Sequence, residues 1–178
     1  MVSDKIRIDN QGNGFRDAVN ETKKVAQYRG AKPQDSTQLQ LIAEEMLSLA
    51  RSVTGEMQAS FWLECEESRY ELHLTTKTVM DKEKRYQLIA SSTSRKNEAA
   101  RSFLGKLRDA FESAMASDVE RTYYELPSDI RSDVSGAVSD GQEWDGYERS
   151  VLRNISDDIR IAIRGGLVEM TVTKDFGA

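Results

Sequence analysis

Apolar residues along the chain recur in two rhythms, one of three to four residues and one of two, and the rhythms occupy separate blocks. Ile6 and Ile8 alternate within Lys5–Asp9, predicting a short strand, and Asn10–Gly14 reads as a turn. Phe15, Ala18, Val19, Thr22, Val25 and Ala26 form one stripe of a helix over Phe15–Arg29. Gly30 stands where a helix-ending glycine belongs, and Pro33 cannot continue the same helix. Leu39, Ile42, Ala43, Met46, Leu49, Ala50 and Val53 predict a second helix over Asp35–Val53, ended by Gly55.

The period then changes to two. Phe61, Leu63 and Cys65 alternate with polar neighbours, as do Tyr70, Leu72 and Leu74, with Glu66–Ser68 as the hairpin turn. Met80–Glu98 is strongly polar and carries no stripe; a long helix over Asn97–Met115 follows, buried through Ala100, Phe103, Leu104, Leu107, Ala110, Phe111 and Ala114. A short helix is expected over Asp145–Ser156, with Tyr147, Val151, Leu152 and Ile155 inward. The chain closes on a hairpin in which Ile159, Ile161 and Ile163 alternate, Gly165-Gly166 turns, and Val168, Met170 and Val172 alternate back. The order predicts an α+β fold: a two-layer α/β sandwich with a mostly antiparallel sheet carrying the helices on one face.

Composition narrows the function classes. A chain of 178 residues fits one domain, and about 70% of its unfolded surface can be buried without disulfide or metal. Thirty acids against 25 bases argue against nucleic acid as a partner, because phosphate binding needs a basic face. The whole surplus of negative charge sits in residues 117–143, where seven acids face Arg121 and Arg131 alone; this stretch reads as an acidic, loosely ordered insertion. Cys65 and His73 are the only residues of their types, which excludes an internal disulfide and a Cys/His zinc site. No run of 18 apolar residues exists and Met1–Lys5 lacks a signal-peptide core, so a cytoplasmic protein without a membrane span is expected.

A strand, then two helices joined through Tyr28-Arg29-Gly30-Ala31-Lys32-Pro33, then the Phe61–Leu74 hairpin, a polar lid-like region, a long helix and the closing hairpin from Ser156 to Val172 together resemble the GHKL (histidine-kinase-like) ATP-binding fold. Within it the chain is most similar to the anti-sigma factor serine/threonine kinases, over nearly its whole length apart from the acidic insertion. Leu41–Ala50 resembles the first nucleotide motif of that family. The resemblance implies ATP with Mg²⁺ as ligand, Glu45 as the catalytic base and Asp81 as the adenine-binding aspartate. It also implies a sigma factor or an antagonist as protein partner, and a homodimer. The family places an asparagine four residues after its glutamate to hold Mg²⁺; here that position is Leu49, which has no oxygen to offer a hard cation. The glycines that follow the family's aspartate are missing after Asp81, and Ser91–Asn97 contains none of the lid glycines. The expectation is therefore a regulatory protein of this fold with degenerate nucleotide motifs, acting by protein–protein binding. One alternative is a working ATP-binding protein or serine/threonine kinase with a non-standard magnesium site at Glu44, Glu45 and Asp81; another is an interaction domain without any ligand.

The residues themselves nominate a few further positions. Ser94, Arg95 and Lys96 put a hydroxyl and two cations before a helix, a set that attracts phosphate, although Ser94 or Asn97 equally suits a helix cap. Asn10–Phe15 resembles a phosphate-cradling turn but is read as structural. His73 should face away from the apolar side of its strand, and Cys65 should be core. Trp62, Tyr123, Tyr124 and Trp144 are candidate interface aromatics.

Overall fold

The structure, a computed structural model, describes residues 1–9, 11–55, 58–100 and 151–177. The acidic stretch 117–143, the body of the helix expected after Asn97, Tyr123, Tyr124 and Trp144 lie outside the described residues. Among the described residues, five strands and three α-helices follow in the order β1 (Ile6–Ile8), α1 (Phe15–Tyr28), α2 (Pro33–Thr54), β2 (Ala59–Glu66), β3 (Arg69–Lys77), α3 (Lys82–Ser91), β4 (Asp158–Arg164) and β5 (Leu167–Asp175). A 3-10 turn over Glu98–Ala100 and a helical end at 151–155 complete them.

The strands form one sheet in the order β1-β2-β3-β5-β4, with every neighbouring pair antiparallel. The chain is thus α+β, with helices packed on a five-stranded antiparallel sheet. Alternation sends Phe61, Leu63, Cys65, Leu72, Leu74, Ile159, Ile161, Ile163, Val168, Met170 and Val172 to one face, all buried in one core with the stripes of α1 and α2. Cys65 is a free, buried core thiol, as its place in the alternation predicts.

Local chemistry explains the helix ends. Gly14 caps α1 at φ 85°, and a Cβ there would lie 2.1 Å from the Arg7 carbonyl oxygen, so no side chain fits. The Asp9 carboxylate accepts from the Gln11 and Asn13 amides and from Asn13 Nδ2, which ties the turn between β1 and α1. Pro33 occupies the first turn of α2, two residues before the predicted start, where its missing N–H costs nothing.

The polar segment Met80–Glu98 departs from expectation, because ten of its residues form α3. Only Arg85, Leu88 and Ser91 of α3 are buried, too few to print a stripe, and the helix starts because Asp81 caps it. Past α3, Thr93 and Asn97 line the outer edge of β4. The Thr93 amide donates to the Ile159 carbonyl and its hydroxyl accepts from the Ile159 amide. The Asn97 side chain does the same at Ile163, accepting from its amide at 2.8 Å and donating to its carbonyl at 3.0 Å. Two residues four positions apart thereby stand in for a sixth strand and cover part of an edge open to mispairing.

Gly14→Ala should destabilise the fold by at least about 2 kcal/mol, from the left-handed backbone alone and more from the clash with Arg7. Urea unfolding followed by circular dichroism measures it.

Candidate functional site

The positions nominated from sequence land on three separate elements. Glu45 is half-buried on α2, and Leu49, one turn on, is completely buried in the core. Asp81 is committed to its own helix: its Oδ1 accepts from the Lys84 amide at 2.8 Å. Ser94, Arg95 and Lys96 are exposed in the segment along β4, where the Ser94 hydroxyl donates to Glu98 Oε1 at 3.1 Å and accepts from the Lys96 amide. Arg95 adopts φ 52°, the left-handed region, to make that bend. A carboxylate already on the serine weakens this triplet as a phosphate seat. Asn97, offered as a cap, accepts from the Ala99 amide while holding β4.

A denser constellation lies on the sheet face turned away from the helices. Cross-strand register aligns Trp62, His73, Thr171 and Arg160 in one row across β2, β3, β5 and β4. The Trp62 and His73 rings stack at 5.0 Å with 10° between planes, and Lys5 Nζ sits 4.5 Å over the indole. In the next row Glu71 accepts from Arg69 at 2.8 Å and from Arg160 at 2.9 Å through the same oxygen. Its other oxygen lies 3.8 Å from His73 Nε2, and Glu64 lies 3.9 Å from the same nitrogen.

Charge sets the protonation of this cluster. Burial would raise the Glu71 carboxyl, but the Arg69 hydrogen bond and the charges of Arg160 and Arg69 outweigh it and hold it below the usual value. Burial pushes the His73 pKa down, outweighing the opposite pull of Glu64 and Glu71. The ring places Nδ1 3.2 Å from the Thr171 hydroxyl and turns Nε2 towards the two carboxylates.

Shallow clefts border the face at either end, one of about 230 Å³ beside Glu98, Arg164 and Glu169, the other of about 450 Å³ beside Glu64, Glu66 and Arg69. Neither is lined by α2 or α3. Among the described residues no three His, Cys, Asp or Glu side chains are placed to hold a metal ion, and no described helix is long and apolar enough to cross a membrane. The sequence pattern places His73 and Trp62 on this side of their strands, but it does not show that β5 brings Thr171 and Arg160 beside them.

Because the folded pKa of His73 lies below its ordinary 6.5, the unfolded chain takes up the proton first. Stability is full above about pH 6.5, falls as pH drops towards the folded pKa, and levels off below it. Glu71, whose pKa is also depressed, acts in a lower window: its contribution is present above 4.5 and is lost only as pH falls through its folded value. His73→Gln should therefore shrink the stability difference between pH 7.5 and pH 5.5, read from urea midpoints at both values.

No protein-family model and no curated protein sequence matches the chain.

Proposed function

We propose that this protein is a regulatory binding module of the anti-sigma kinase kind, built on a histidine-kinase-like ATP-binding fold whose nucleotide site has lapsed. It acts by holding a protein partner, a sigma factor or an antagonist of one. The observation that carries this reading is Leu49. Its side chain is completely buried, one helical turn beyond Glu45, where the resemblance calls for a magnesium-holding amide. A buried leucine at that place contributes about 2 kcal/mol to the core and offers no lone pair.

The other nucleotide positions support the same reading. Asp81 is engaged as a helix cap and Ser94 by Glu98, which leaves the alternative magnesium set without its aspartate unless α3 gives up that cap. The open sheet face supplies what a binding module needs in exchange: an aromatic stack, an arginine held by two carboxylates, and little loose side chain to order on contact.

Titration with 10 mM ATP and Mg²⁺ should leave the melting temperature within about 1 °C. A site with a Kd of about 1 mM would instead stabilise the fold by about 1.4 kcal/mol and raise the melting point by roughly 3–5 °C, which would favour the kinase alternative. Leu49→Asn should fail to create nucleotide binding and should cost about 3 kcal/mol or more, because it exchanges core packing for an unpaired amide; urea unfolding reads the loss.

A further inference from the structure

The open sheet face has a gap near the end of β4. The outward residues of that strand are Asp158, Arg160, Ala162 and Arg164, and Ala162 is the only one of them without a charged side chain. Across the ladder Ala162 pairs with Glu169 and Arg164 with Leu167, so Arg164 and Glu169 are diagonal neighbours on adjacent strands, about 7–8 Å apart. The cleft of about 230 Å³ opens over this alanine, with Glu98, Arg160, Arg164, Glu169 and Thr171 around it.

The walls of the cleft differ in how far they are already committed. Arg160 is tied to Glu71 at 2.9 Å and to Asp158 at 3.5 Å, on the side away from Ala162. The Thr171 hydroxyl is shared with His73, and Glu98 accepts from the Ser94 hydroxyl. Asn97, next to Glu98, pins β4 at Ile163 and steadies the outer wall. Arg164 and Glu169 are different. One is an exposed cation and the other a half-buried anion, and neither side chain has a hydrogen-bond or ion-pair partner among the described residues.

A ligand for such a cleft carries both signs of charge close together. A volume of about 230 Å³ lies below the roughly 300–1,000 Å³ of clefts that enclose drug-sized molecules, which sets aside nucleotides and longer peptides. A lone carboxylate or phosphate would satisfy Arg164 but meet like charge at Glu169, and a lone amine would meet like charge at Arg164. A zwitterion satisfies both. Its carboxylate fits the planar fork of the Arg164 guanidinium, and its ammonium donates to the Glu169 carboxylate. Ala162 leaves room beneath for a short side chain.

We propose that the cleft over Ala162 binds a small free α-amino acid, Arg164 holding its carboxylate and Glu169 its ammonium. The cleft is on the face of the sheet turned away from the core that buries Leu49, and the inference stands apart from the nucleotide reading. Binding of Mg²⁺-ATP would overturn that reading and leave this one intact, and a cleft indifferent to amino acids would do the reverse.

Titration of nitrogen-15-labelled protein with L-alanine in about 20 mM salt, where surface charges are least screened, tests it through amide NMR shifts. Saturable shifts should centre on Ala162, Arg164 and Glu169, with a Kd of about 1 mM. N-acetylalanine lacks the ammonium and alaninamide lacks the carboxylate, so each should bind at least about tenfold more weakly. Arg164→Gln and Glu169→Gln should each weaken L-alanine by about tenfold or more with an unchanged circular dichroism spectrum, because neither side chain supports another group. Absence of saturable shifts up to about 20 mM L-alanine, well above the Kd of about 1 mM, overturns the proposal. Capped analogues that bind as tightly as the free amino acid, or variants that keep the wild-type affinity, overturn it equally.

Discussion

Burial of one side of the five-stranded sheet in a common core with α1 and α2 is the interaction on which the remaining features depend. Each strand contributes only its alternate residues to that layer, and α2 meets them with Leu39, Ile42, Met46, Leu47 and Leu49, none of which reaches solvent. The arrangement leaves no freedom at Leu49. A side chain there must fill space, and one that reached outward to hold an ion would leave a cavity in the middle of the layer. The chemistry available on α2 is constrained by packing before any ligand is considered.

The same burial creates the opposite face. Residues that alternate with the core positions have to project away from it, so Trp62, Glu71, His73, Thr171 and Arg160 are gathered by the pleat rather than by a loop. Strands hold side chains at fixed spacing, which is why a ring stack, a shared carboxylate and a cation over an indole coexist within two rows. A surface ordered in advance loses little side-chain entropy when it meets another. That property suits the polar face to recognition.

The edges of the sheet show a parallel economy. On the β2 side, the Met1 and Ser3 backbones pair with Cys65 and Leu63 and lengthen the protection that three-residue β1 provides. On the β4 side, Thr93 and Asn97 answer the backbone of Ile159 and Ile163 with their own polar groups. Both devices shield the sheet from edge-to-edge strand pairing.

Sequence periodicity alone determined α1, α2, the two long hairpins, the core thiol and the orientation of His73, because each follows from which residues within one element share a side. It also marked Leu49 as apolar where the resembled family needs an amide. α3 escaped notice because a helix with three buried residues leaves almost no stripe; its only mark was the capping Asp81. Tertiary structure decided that β5 lies between β3 and β4. With that placement it decided which polar residues become neighbours, since His73 and Thr171 are 98 positions apart along the chain and meet only through strand register. Local pattern reports the direction a side chain points, whereas its neighbours are set by long-range pairing, which depends on how the whole apolar layer closes.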